Sequence, residues 1–268
     1  METRFDRDTA VRPLGSGLFE TQVDPGWKIV RGPNGGYLAA ILVRALEAAA
    51  DDAERTLRSL NVHYLRPPQD GPAQVETRVE RRGRSLTTVT ARLIQGGELQ
   101  ALATAALSKP RESAELHQAV MPEVPPPESL APRDPALGAP MHARYEQRWA
   151  IGPHFFDGEQ GREAVSGGWV RLVEPRPLDA ALLAAYADAW PPAIFGCAGV
   201  PFPTGGVPTV DLTVHVRALP PAGADPNDPV LVIFRTREAH EGFLEEDGEI
   251  WSRGGVLLAH SRQLAVLV

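Results

Sequence analysis

The sequence predicts an α+β protein made of two copies of one unit, each a helix followed by an antiparallel sheet. Three observations carry this reading. A proline-rich stretch lies near the middle of the 268 residues. The same order, one helix and then four strand-like runs, occurs on either side of it. Short sequence echoes fall at matching places in the two halves. The length suits two units of ordinary size.

The break comes first because it sets the boundaries. Of 26 prolines in the chain, eight fall between Lys109 and Pro140. Proline fixes φ and removes a backbone donor, so a stretch this dense and without helical or strand period reads as an extended linker. The division expected is an N-terminal unit over 1–108, a linker over 109–142 and a C-terminal unit over 143–268.

In the first half, Asn34 to Ala50 is rich in Ala and Leu. Leu38, Ile41, Leu42, Ala45 and Leu46 recur at three- and four-residue spacing, which predicts a helix. It is apolar over most of its surface, as a helix buried against a sheet would be. Strand-like runs follow at Leu57 to Arg66, Ala73 to Arg81, Ser85 to Gln95 and Leu99 to Leu107, with Gly83 and Gly96-Gly97 at turns between them. No helix separates these runs, so short antiparallel connections are expected. The second half gives a helix over Leu178 to Ala189, then runs at Pro208 to Arg217, Val230 to Glu238, Phe243 to Trp251 and Val256 to Val266. Leu60-Asn61-Val62-His63 echoes Leu212-Thr213-Val214-His215, and Gly96 to Ala101 echoes Gly254 to Ala259.

Composition excludes several classes. Net charge is −7, which argues against a broad basic face for nucleic acid or anionic lipid. The single cysteine, Cys197, cannot form an internal disulfide and favours a cytoplasmic setting. No apolar run approaches the roughly 18 residues of a membrane span, and Met1 to Arg12, charged and without an apolar core, does not read as a signal peptide. Hydrophobic residues make up 43% of the chain, enough to fill a core despite the prolines.

A duplicated unit supplies its own control: a position polar in one copy and apolar in the other is a candidate for function. Aligning the two glycine pairs sets Gln263 against Ala105 and Arg262 against Thr104. Aligning the LxVH strands sets Thr209 against Leu57 and Asp211 against Ser59. Asp188, in AAYADAWPP, falls near the end of the second helix, where the negative end of the dipole and partial burial would both raise its pKa. That suits a general base or a holder of water, and Asp188, Thr209 and Gln263 together could hold and deprotonate one water molecule.

These residues resemble the acyl-CoA thioesterases of the double-hotdog, thioesterase II type. The resemblance lies in the NGGYLAA helix start, Tyr64 to Pro67, YADAWPP, PTVDLTVHVR and the terminal GGVLLAHSRQ, and it covers both halves. It implies two fused hotdog units, each a curled antiparallel sheet wrapped around one long helix. It also implies a place in lipid metabolism. The family's water-activating Asp, Thr and Gln match Asp188, Thr209 and Gln263. The activity implied is hydrolysis of a fatty or small acyl-CoA thioester without a covalent intermediate, with Asp188 as base and Thr209 and Gln263 orienting the water. Coenzyme A enters as part of the substrate, and no other cofactor or metal is implied. Assembly into a homo-oligomer is left open. Since only the second copy carries the polar set, one active site per chain is expected.

Two further assignments concern substrate contacts. The helix opening at Asn34-Gly35-Gly36 offers free backbone N–H groups and the positive dipole end to a developing oxyanion. Arg81, Arg82 and Arg84, with Arg78, cluster around the Gly83 turn, where they could meet the phosphates of coenzyme A or form a solvated hairpin tip. The sequence has no G-x-S-x-G elbow, no HExxH or paired-cysteine zinc spacing and no dinucleotide fingerprint at Gly15-x-Gly17. His63 and His215 occupy equivalent strand positions, which points to packing. Two alternatives share the fold: a non-catalytic acyl-CoA-binding protein, and an enoyl-CoA hydratase, for which His154 and Asp157 are the nearest residues.

Overall fold

A computed structural model describes residues 2–136, 138–201, 205–221 and 223–268. The first half opens with a short helix, α1 (Arg4–Asp8), and a hairpin of β1 (Arg12–Gly15) and β2 (Leu18–Val23). A two-stranded ribbon of β3 (Lys28–Ile29) and β4 (Gly32–Pro33) leads into the long helix α2 (Gly35–Ala50). Four strands follow: β5 (Thr56–Tyr64), β6 (Gly71–Arg82), β7 (Leu86–Gln95) and β8 (Glu98–Ser108). The second half has β9 (Tyr145–Ile151), β10 (Ala164–Leu172), the helix α3 (Ala180–Tyr186), β11 (Thr209–Val216), β12 (Val230–Thr236), the two-residue β13 (Ala239–His240), β14 (Phe243–Trp251) and β15 (Leu257–Val266).

All strands but β3 and β4 form one antiparallel sheet whose order is a palindrome. From one edge it runs β1, β2, β6, β7, β8, β5, and then β11, β15, β14, β12, β10, β9, with β13 paired to β14. Each of the six first-half strands in this order has a counterpart at the mirrored place in the second half, so the duplication expected from sequence is a duplication of topology. The halves join where β5 pairs with β11, Val62 standing opposite Leu212 and Asn61 opposite Thr213. The Asn61 amide donates to the Thr213 hydroxyl at 2.7 Å across that seam. Helices α2 and α3 lie in the core, and one cluster of buried apolar side chains runs through both halves. Trp27 stacks on Tyr37 at 5.0 Å within it. Among the described residues, no helix is long and apolar enough to cross a membrane.

Besides the two-residue β3, β4 and β13, each half carries two more strands than the periodicity shows: β1 and β2 before α2, and β9 and β10 before α3. The burial of β10 explains its silence. Its residues Ser166 to Val170 are buried in succession, so neither a period of two nor a helical period survives. The second helix is also shorter than expected, ending at Tyr186, with Ala187 as its cap and Asp188 beyond it. Past Tyr186 the bonds tighten to three-residue spacing, the Asp188 and Ala189 N–H groups donating to the Ala185 and Tyr186 carbonyls at 3.2 and 3.3 Å, and Pro191 and Pro192 then end any continuation.

Between the halves the chain is extended, with single helical turns at Pro127–Ser129 and Pro140–Arg144. It does not hang free. Met121, Val124 and Leu130 pack on Trp169, Leu231, Ile233 and Trp251 of the second half, and the Trp169 indole donates to the Pro125 carbonyl at 2.9 Å. The linker therefore covers part of the outer face of the second half's sheet.

Candidate active site

The site begins at the first turn of α2. Asn34 caps this helix: its Oδ1 accepts from the Tyr37 N–H at 2.9 Å, which is why the helix starts where it does. The other end of the same side chain faces the second half, where Nδ2 donates to the Asp188 carbonyl at 2.8 Å and to Asp188 Oδ2 at 2.9 Å. The Gly36 N–H donates to that same Oδ2 at 2.9 Å. Glycine is needed here for close approach: a Cβ on Gly36 would stand 2.6 Å from the Ala185 carbonyl oxygen and 3.0 Å from Asp188 Cβ. Tyr64, at the end of β5, donates its hydroxyl to the Gly35 carbonyl at 2.7 Å and closes the same corner.

Asp188 thus sits at the positive end of α2, not within the negative end of its own helix. Burial nonetheless prevails and pushes its carboxyl up to about 6, while the Gly36 and Gly35 N–H groups and the Asn34 amide pull the other way. Both side-chain hydrogen bonds fall on Oδ2, and among the described residues Oδ1 has no hydrogen-bond partner. Part of the residue is still reached by solvent. A partly exposed carboxylate with one oxygen held and one unengaged is suited to accept a proton.

A second cluster lies on β11, β14 and β15. The Thr209 hydroxyl donates to Gln263 Oε1 at 2.8 Å, and Gln263 Nε2 donates to Glu246 Oε1 at 2.9 Å. The other Glu246 oxygen, Oε2, accepts from the Ala193 N–H at 2.7 Å, just beyond the segment that carries Asp188. Burial pushes the Glu246 carboxyl up to about 7; the Ala193 and Gln263 donors oppose this, and the charge of Asp188 adds to it. Thr209 and Gln263 are therefore in contact, Asp188 belongs to the neighbouring cluster, and the Ala189–Ala193 segment connects the two.

Other residues singled out from sequence lie differently. Asn34 and Gly36 give their donors to Asp188 itself, which occupies the place an oxyanion was expected to take. Arg81, Arg82 and Arg84 are exposed at the far end of α2, where the Arg55 guanidinium binds the Gly83 and Arg84 carbonyls at 2.9 and 3.1 Å. The 16 residues of α2 set that turn about 24 Å from the Asn34 end. His154 pairs with Asp157 at 3.1 Å and packs on Trp149, which in turn packs on Trp190. Glu246 was missed by sequence reading because it stands in a run of acidic residues, Glu245-Glu246-Asp247-Gly248-Glu249, that resembles a solvated face. The signal that would have found it is parity: Leu244, Glu246, Gly248 and Ile250 are all buried and alternate along β14.

Comparisons with known proteins agree with this architecture. The family model of the acyl-CoA thioesterase N-terminal domain matches residues 23–108, and that of the C-terminal domain matches residues 121–267. A hot dog fold protein of unknown function from Alicyclobacillus acidocaldarius has a structure similar over 100% of this chain and 99% of its own, with a TM-score of 0.86 and 30% identity. An acyl-CoA thioesterase II, TesB2, from Mycobacterium marinum shares the fold at a TM-score of 0.77 and 20% identity, over 98% of each chain. An uncharacterized protein of Mycobacterium tuberculosis is 25% identical over 100% of this chain and 99% of its own.

Proposed function

The chain belongs to the acyl-CoA thioesterase family, with the double-hotdog fold, and on that premise we propose that it hydrolyses an acyl-CoA thioester to a free acid and coenzyme A at a site built on Asp188, Thr209 and Gln263. The observation that supports this reading most is the state of Asp188: a carboxyl raised to about 6, held through Oδ2 and with Oδ1 unengaged.

In the proposed reaction, Asp188 takes a proton from a water molecule while Thr209 and Gln263 orient it. The Thr209 hydroxyl spends its proton on Gln263 Oε1, so the Thr209 oxygen is left to accept from the water, and the second N–H of Gln263 is left to donate to it. The water oxygen attacks the thioester carbonyl. Collapse of the tetrahedral intermediate breaks the carbon–sulfur bond, and the proton held by Asp188 passes to the departing thiolate. Asn34, Gly35 and Gly36 act in this scheme by holding the base. The division into units over 1–108 and 143–268, with one site per chain, is part of the same proposal.

The test is a panel of acyl-CoA substrates of increasing chain length, read by release of free thiol. The proposal expects thiol release with at least one member. Binding that raises thermal stability without thiol release would instead mark an acyl-CoA-binding protein, and loss of enoyl absorbance would mark a hydratase.

A further inference from the structure

Glu246 is a buried carboxyl that the proposed hydrolysis does not use, and its surroundings are unusually specific. The palindromic sheet shows what the fold alone asks for at this place. Gln263 stands opposite Glu246 on one side and opposite Leu212 on the other. In the first half, Ala105 stands opposite Val89 and opposite Leu60. Glu246 therefore corresponds to Val89, Gln263 to Ala105, and Thr209, opposite Ala265, to Leu57, opposite Leu107. Val89, Ala105 and Leu57 are all buried. The same sheet positions are filled by apolar side chains in one copy and by a hydrogen-bonded Glu, Gln and Thr in the other, so the carboxyl is not a requirement of the strand.

We propose that Glu246 is a positioning residue of the active site: it fixes the orientation of the Gln263 amide and ties down the segment that follows Asp188. The inference rests on the hydrolytic reading of the site. An amide can present either its oxygen or its nitrogen to Thr209. With Glu246 ionised and its oxygen 2.9 Å from Nε2, the turned amide would set two acceptors against each other, so the oxygen faces Thr209. That choice fixes which way the Thr209 hydroxyl points, and with it the acceptor offered to the water. The second carboxylate oxygen holds the Ala193 N–H at 2.7 Å. A glutamine at 246 cannot do both, because one of its two ends is a donor.

Two variants test this: Glu246→Val, which installs the residue that the first half carries, and Glu246→Gln. Each is made in the wild-type chain and in a Gln263→Ala background, with thiol release measured from the best acyl-CoA of the panel. In the wild-type background both should lower kcat about tenfold or more with KM within about twofold. In the Gln263→Ala background the further loss should shrink to the part carried by the Ala193 contact, since the part that acts through Gln263 is already gone. The side-chain amide protons of Gln263, followed by 15N NMR, should be protected from exchange in the wild type and exposed in Glu246→Val. Unchanged turnover with an unchanged amide signal would overturn the proposal, as would a full additional loss in the Gln263→Ala background. Absence of thiol release by the wild type would instead defeat the hydrolytic reading, and the amide signal would then decide by itself whether Glu246 holds Gln263.

Discussion

The Asp188 carboxylate of the second half accepts a hydrogen bond at 2.9 Å from the backbone N–H of Gly36 in the first. The proposed site is therefore a property of the pair and of neither half alone. One half provides a capped helix start, the other the carboxylate, and the antiparallel packing of α2 on α3 brings them together. A duplicated chain can hold such a site without a second subunit, because the pairing of β5 with β11 joins the two sheets internally.

Gly36→Ala should separate the two helices. The added methyl would meet the Ala185 carbonyl oxygen at 2.6 Å, and that oxygen is backbone, so the helices themselves must move. Overpacking of this kind costs about 1–3 kcal/mol, and Tm should fall by roughly 2–4 °C for each kcal/mol in a chain of this size. Thermal unfolding followed by circular dichroism checks this. An unchanged Tm would mean that the helix contact is not tight.

Asp188 should make the protein less stable as pH rises. Its folded pKa, about 6, lies above the usual value of 3.8, so between these values the folded state binds the proton more tightly than the unfolded state. The stability this gives is complete below about pH 4 and is lost as pH rises through about 6. In Asp188→Asn the carbonyl oxygen can still accept from Gly36, and the titrating group is gone. The variant should therefore gain stability over the wild type at pH 8 relative to pH 4, by on the order of 1–2 kcal/mol after allowing for the partial exposure of Asp188. Urea unfolding at the two pH values measures the difference. A gain that is equal at both would show that Asp188 titrates normally.

Much of the fold is legible in the sequence because its signals are local. The Ala- and Leu-rich run after Asn34 marks α2, and the four strands after each helix alternate or turn at glycines. Of the strands before each helix, β10 is illegible for a physical reason: it is covered on its outer face by the linker and loses its alternation. The site divides in the same way. Aligning the copies singles out Thr209 and Gln263, which the structure places in contact. It does not reveal that Asn34 and Gly36 would be taken up by Asp188, because that contact joins residues more than 150 positions apart. Nor does residue type alone separate Arg81, Arg82 and Arg84 from a solvated turn at the opposite end of α2.

The linker should contribute to stability at particular positions. Leu130 and Met121 pack on the Trp169 and Trp251 cluster, whereas Val120 is 83% exposed. Leu130→Asp or Met121→Asp should cost about 1–2 kcal/mol, and Val120→Asp should stay within about 0.5 kcal/mol of the wild type. The urea midpoints of the three variants decide this. Equal midpoints would mean that the linker does not pack on the sheet in solution.

The central claim is that Asp188 removes a proton from the attacking water. The most direct measurement is the initial rate of thiol release from an acyl-CoA by the wild type and by Asp188→Asn, taken from pH 5 to pH 8. The wild-type rate should rise with pH through about 6, as the Asp188 carboxyl ionises, and level off only above about 7, where Glu246 is ionised as well. Asp188→Asn should be slower by about 10²–10⁴-fold, the range of general-base contributions, and should lack that rise. A variant that stays within a few-fold of the wild type and keeps the same pH profile would contradict the account.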